Sequence, residues 1–238
     1  MLRPADRIIV ALDVDSAARA NALMDALAGH VGGFKIGKEL FVTEGPEIVR
    51  RVVERGSRVF LDLKFHDIPN TAAGAVRAAA RHSAWMVNVH ASGGPAMLRA
   101  AADAAAEFGT SRPLVIAVTV LTSLDESDLR KIGLAGTPQK AALRLAKLAK
   151  ENGLDGVVAS AKEAAAIKRE CGADFLVVSP GIRPAGADPG DQKRLSTPGN
   201  AAKNGCDYLV IGRPITLAPD PAAAADAIAA EIAEALGA

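Results

Sequence analysis

The feature that most constrains the fold of this chain is an alternation. Short runs of β-branched and apolar residues recur eight times, and longer stretches of helical character, many of them rich in alanine, separate them. The apolar runs fall at 8–13, 33–37, 58–61, 85–90, 114–118, 155–160, 175–179 and 208–212. Helical patterns end near 54 and span 69–82, 138–152 and 221–236, and Ser16 is placed to cap the helix after the first run. Runs this continuously apolar predict strands buried on both faces, and so a parallel sheet covered by helices. Eight such units favour closure into a (β/α)8 barrel over an open, doubly wound sheet. The 238 residues show no linker, low-complexity tract or close repeat, which predicts one domain over 1–238. The Gly/Pro-rich segment 182–199 reads as a functional loop, a lid with Gly186 and Gly190 as its pivots.

Composition narrows the partners. A net charge of +1 gives no electrostatic footprint for nucleic acid or an anionic membrane. No run reaches the ~18 apolar residues of a membrane span, and the first residues lack the apolar core of a signal peptide. Cys171 and Cys206 have neither disulfide-framework nor metal-site spacing, so both are expected to be structural thiols in a reducing cytoplasm.

Chemistry concentrates where the third strand should end. Asp62, Lys64 and Asp67 fall within six residues, directly after an apolar strand and just before Pro69, a residue suited to a first helical turn. In extended chain Asp62 and Lys64 share a face. Such charges are costly to bury unless they pair with one another or with a charged ligand. A solvated salt-bridge knot would explain them equally well. The remaining polar residues tip the balance, because they fall at the ends of other strands, where this fold places active sites: Asp13, Lys35, His90, Thr119, Thr122, Arg183, Gly212 and Arg213. Residues 179–184 and 210–214 each bring a glycine and an arginine to a strand end, a pattern suited to an anion, and Gln192 offers a neutral donor between them. His66 and His90 are candidates for the pocket wall. No histidine pair has ligand spacing, and Lys64 competes with any cation between Asp62 and Asp67, so no metal is expected. Asp125 fits a helix cap.

These stretches, taken together and in order, resemble the orotidine 5′-phosphate decarboxylases along the whole chain. The resemblance is carried by 11–13, 34–37, 62–71, 89–91, 121–123, 180–184, 191–192 and 211–214, with the third-strand stretch the most specific. It implies a cofactor-free decarboxylase of orotidine 5′-monophosphate in pyrimidine biosynthesis. Lys64 would donate the proton to C6 of the pyrimidine, and Asp62, flanked by Lys35, would lie beside the substrate carboxylate. Asp13 and Lys35 would contact the ribose, and Thr122 and Ser123 would lie near ribose or base. Gln192, Gly212, Arg213 and Arg183 would hold the phosphate. Asp67 and Thr71 would reach into the neighbouring subunit's site, making a homodimer the working unit. The flanking carboxylates are expected to keep Lys64 an ammonium at neutral pH, in an array that exists before substrate arrives. Two other readings stand beside this one. Metal-dependent sugar-phosphate enzymes, 3-hexulose-6-phosphate synthase or 3-keto-gulonate-6-phosphate decarboxylase, share the Asp62, Lys64, Asp67 pattern but not its continuation through 66–71. A non-catalytic nucleotide-binding module would be expected to have lost a member of the charged array, and none is missing.

Overall fold

The computed structural model describes residues 2–184 and 195–237. Eight parallel strands close into a barrel in sequence order: β1 (Ile8–Ala11), β2 (Gly33–Ile36), β3 (Val59–Phe65), β4 (Met86–His90), β5 (Leu114–Val118), β6 (Gly156–Val158), β7 (Leu176–Ser179) and β8 (Tyr208–Ile211). β8 returns to β1, pairing Ile9 with Val210. Around the barrel run α1 (Ala17–Ala26), α2 (Lys38–Glu44), α3 (Glu47–Glu54), α4 (Pro69–Arg81), α5 (Gly94–Ala106), α6 (Glu126–Lys131), α7 (Pro138–Glu151), α8 (Ala161–Cys171), α9 (Pro198–Lys203), α10 (Arg213–Thr216) and α11 (Pro221–Leu236).

Strand alternation builds two cores. Ile9, Ala11, Phe60, Met86, Ile116, Val178 and Val210 fill the barrel interior. Their neighbours Ile8, Val10, Leu61, Val87, Val115, Val177 and Leu209 face outward into the layer beneath the helices. Both faces of each strand are therefore apolar, which is why the runs look continuous in sequence. α4 shows the helical side of that layer: Ala72, Ala73, Val76, Ala79 and Ala80 form its buried stripe.

The lower end of the barrel is sealed. The Arg58 guanidinium lies 4.3 Å from the Trp85 ring centroid, and Trp85 meets Tyr208 edge-on at 5.1 Å. Arg58 also donates to the carbonyls of Gly32 and Asp6. The upper end, where the strand carboxyl ends lie, is left for chemistry.

Local signals set most helix ends. Asp125 caps α6 in a reciprocal box with Asp128, and Ser160 caps α8 in the same way with Glu163. Ser16 departs from expectation. Its hydroxyl donates to Asp15, and the free N–H of Ala17 goes instead to Glu44 Oε1 at 2.7 Å. The segment expected as loop to 199 is also shorter, because Thr197 caps α9 and Pro198 opens it. Cys171 ends α8 and Cys206 precedes β8, both buried and free.

Candidate active site

β3 runs past its expected end, and it does so irregularly. Leu61 pairs with Val87 of β4 and Phe65 with Val89, so four steps along β3 match two along β4. The surplus residues form a bulge, and Lys64 within it has a φ of +54°. That left-handed conformation is costly for a lysine. Simple alternation therefore does not explain why Asp62 and Lys64 share a face; the bulge aims Lys64. Asn88, fully buried on β4, supports the bulge: its Oδ1 accepts the Lys64 backbone N–H at 2.8 Å, and its Nδ2 donates to Asp62 Oδ1 at 2.7 Å.

Four charges alternate across the strand ends. Lys35 Nζ lies 2.8 Å from Asp13 Oδ1 and 3.4 Å from Asp62 Oδ2. Lys64 Nζ lies 2.6 Å from Asp62 Oδ1. Burial alone would raise the Asp62 pKa, but Lys35, Lys64 and the Asn88 amide outweigh it and hold the carboxyl below its ordinary 3.8. Burial alone would lower Lys35, but Asp62 and Asp13 outweigh it and hold the ammonium above 10.5. Gly37 leaves the space for this pairing, since a Cβ there would lie 3.0 Å from both Asp13 Oδ1 and Lys35 Nζ.

This array forms one wall of a cavity of about 560 Å³. Ala11, Phe60 and Val210 give it apolar lining, Thr122 and Ser123 add hydroxyls, and Arg183, Gly212 and Arg213 line it as well. Asp67 and Thr71 do not line it. Both are exposed, and Asp67 Oδ1 accepts the N–H of Ile68. Within one chain the fourth charge of the array is thus Asp13. Gln192, Gly186 and Gly190 lie outside the described residues.

Three candidates, Thr119, His66 and His90, do not line the cavity. Thr119 is buried and donates to the Val158 carbonyl. His66 and His90 lie outside the cavity lining and stack on each other at 5.3 Å. Burial first, then the neighbouring His66, Lys64 and Lys38, push His90 down to about 4, so its ring is neutral at pH 7. Among the described residues no three His, Cys, Asp or Glu side chains gather where they would hold a metal ion, and no helix is long and apolar enough to cross a membrane.

Asn88 is the polar residue that sequence reasoning missed. Its signal was present: in β4, Met86, Asn88 and His90 share the inward face, and Asn88 breaks an otherwise apolar strand.

A family model described as "Orotidine 5'-phosphate decarboxylase / HUMPS family" matches residues 6–228. An orotidine 5'-phosphate decarboxylase of Halorhodospira halophila is 60% identical over 96% of this chain and 97% of its own length. One of Moorella thermoacetica is 57% identical over 95% of this chain and 92% of its own. Among solved structures, an orotidine 5'-phosphate decarboxylase from Lactobacillus acidophilus superposes with a TM-score of 0.84 at 39% identity, covering 94% of this chain and 98% of that one. Matches of this extent and identity show that the chain belongs to the orotidine 5'-phosphate decarboxylase / HUMPS family.

Proposed function

We propose that the protein decarboxylates orotidine 5'-monophosphate to uridine 5'-monophosphate and CO₂ in pyrimidine biosynthesis, with 1–238 acting as one catalytic domain. The observation that carries this reading is the Asp13–Lys35–Asp62–Lys64 array in a cavity that Arg183 and Arg213 also line. The relatives named above support the decarboxylase over the sugar-phosphate activities that share the family.

The chemistry fits the residue types. As the bond between C6 and the carboxylate breaks, CO₂ leaves and the electron pair stays on C6, in the ring plane and outside the π system. A cation fixed beside C6 stabilises that charge as it forms. The Lys64 ammonium fills this role and then gives its proton to C6, regaining one from solvent. Asp62 and Lys35 hold Lys64 in place and flank the departing carboxylate. Asp13 and Lys35 contact the ribose, with Thr122 and Ser123 near ribose or base. Gly212, Arg213, Arg183 and Gln192 hold the phosphate, whose binding energy offsets the cost of ordering the reactive end. No cofactor enters these steps.

Asp67 and Thr71 act across a homodimer in this reading. Both lie outside their own chain's cavity, next to Ile68, which is 67% exposed. A second copy covering Ile68 would carry Asp67 towards the partner's site. Mixing Asp67→Asn with Lys64→Ala subunits then restores activity in heterodimers, and proven heterodimers without recovery would refute sharing.

The central test follows loss of orotidine monophosphate absorbance with wild type and Lys64→Ala, each with and without EDTA. Wild type is expected to turn over unaffected by the chelator, and Lys64→Ala to lose nearly all turnover. Near-normal turnover in the variant would remove Lys64 as proton donor. Wild-type activity abolished by EDTA would favour the metal-dependent sister enzymes. Tight uridine-phosphate binding without wild-type turnover would favour a binding module.

A further inference from the structure

The bulge that aims Lys64 leaves its backbone N–H without a partner in the β3–β4 ladder, because the register skips from Leu61 to Phe65. Asn88 fills that gap from the inward face of β4. It is 0% exposed, and both ends of its amide are committed: the oxygen to Lys64 N–H at 2.8 Å, the nitrogen to Asp62 Oδ1 at 2.7 Å. These partners fix the amide's orientation, since a backbone N–H requires the oxygen and a carboxylate requires the NH₂. One planar group thus ties the backbone of Lys64 to the side chain of Asp62. It thereby holds down a strained lysine backbone and fixes a carboxylate that Lys35 and Lys64 draw from two sides.

We propose that Asn88 is a positioning residue for decarboxylation, holding the Lys64 bulge and the Asp62 carboxylate in one frame so that the ammonium stays at the reacting carbon. This rests on the reading that Lys64 protonates C6. A displacement of about 1 Å in such a group can cost about 100-fold in rate. Asn88 does not itself line the cavity that Arg183 and Arg213 line, so binding of the nucleotide should survive.

Two variants test this. Asn88→Ala removes both bonds. Asn88→Asp keeps the shape and the acceptor for Lys64 N–H but sets a carboxyl against Asp62; only when protonated can it donate as the amide does. The charged and titratable groups around it are Asp62 and Lys64 from β3, Lys35 from β2 and His90 at the end of β4.

The experiment measures kcat and KM for orotidine monophosphate from pH 5 to 9, beside uridine monophosphate affinity and thermal unfolding. Asn88→Ala is expected to lose about 100-fold in kcat, with KM and product affinity within about threefold of wild type. Asn88→Asp is expected to regain kcat relative to wild type as pH falls. Wild-type kcat in either variant would overturn the proposal. So would an Asn88→Asp loss that is constant with pH, or one shared equally by kcat and product affinity, since either marks a merely structural role. If Asn88→Ala does not fold, Asn88→Asp decides alone. Wild type inactive on orotidine monophosphate would instead sink the functional reading itself.

Discussion

The strain at Lys64 can be measured by replacing it twice. Lys64→Ala and Lys64→Gly both remove the ammonium 2.6 Å from Asp62, so that loss cancels between them. What remains is the backbone, held at φ +54° by the bulge. An L-residue in the left-handed region costs about 1–2 kcal/mol that glycine avoids. Glycine, in turn, gives up about 0.4–1 kcal/mol through its freer unfolded chain. The glycine variant should therefore be the more stable by about 0.5–1 kcal/mol. In ordinary extended strand the order would reverse by a similar amount. For a chain of this length that corresponds to a melting temperature higher by about 1–4 °C. The assay is thermal unfolding of both variants at matched protein concentration, since any dimer makes the midpoint concentration-dependent. An alanine variant melting at or above the glycine variant would refute the claim that the lysine backbone is strained.

Three further outcomes follow from the same geometry. Because the Asp62 pKa is lowered on folding, its contribution to stability is present above pH 3.8 and is lost as pH falls through the folded value. The stability of Asp62→Asn should then fall less steeply than wild type in acid; parallel denaturation curves between pH 6 and 2 would contradict this. The His90 ring, lowered from 6.5 to about 4, should titrate near pH 4 by NMR, and its contribution is present above 6.5 and fades as pH drops towards 4. A midpoint of 6 or above would be inconsistent with its burial against His66 and Lys64. In Gly37→Ala the new methyl crowds Asp13 Oδ1 and Lys35 Nζ at 3.0 Å. Overpacking costs about 1–3 kcal/mol unless the pair moves aside, and moving it off its geometry should lower kcat/KM about fivefold or more, whereas a wild-type value would show that the pair yields freely.

The barrel was legible because its strands carry two apolar faces, a pattern that no solvated surface produces. Asp13, Lys35, Asp62 and Lys64 were legible because charge at a strand end stands out against such runs. What escaped the sequence was anything set by contacts between distant segments. Ser16 looked like a cap, yet its hydroxyl turns to Asp15, and the helix start is held instead through the Ala17 N–H by Glu44, 27 residues away. Lys64 sits where alternation predicted, but through a bulge whose register depends on β4. Asn88 was hidden for the complementary reason. It lies inside a strand rather than at its end, so its break in the apolar run marked a polar residue but not the partners it serves.

The charges of the array sum to zero, which bears on how it would serve the proposed reaction. A neutral set of groups does not draw an anionic nucleotide by net charge, so in the proposed reading attraction falls to Arg183 and Arg213, which line the same cavity. The array acts through its polarity instead. Before the bond breaks, the substrate's negative charge sits on a carboxylate beside Asp62; afterwards it sits on C6 beside Lys64. The proposed reaction would thus move charge from an anion towards a cation that lie only 2.6 Å apart. Interactions that strengthen along the reaction raise kcat, whereas those that bind substrate and transition state alike lower KM. In the proposed reading the two tasks fall to different side chains of one cavity, so the reactive set can be strained, buried and costly without weakening the grip on the nucleotide.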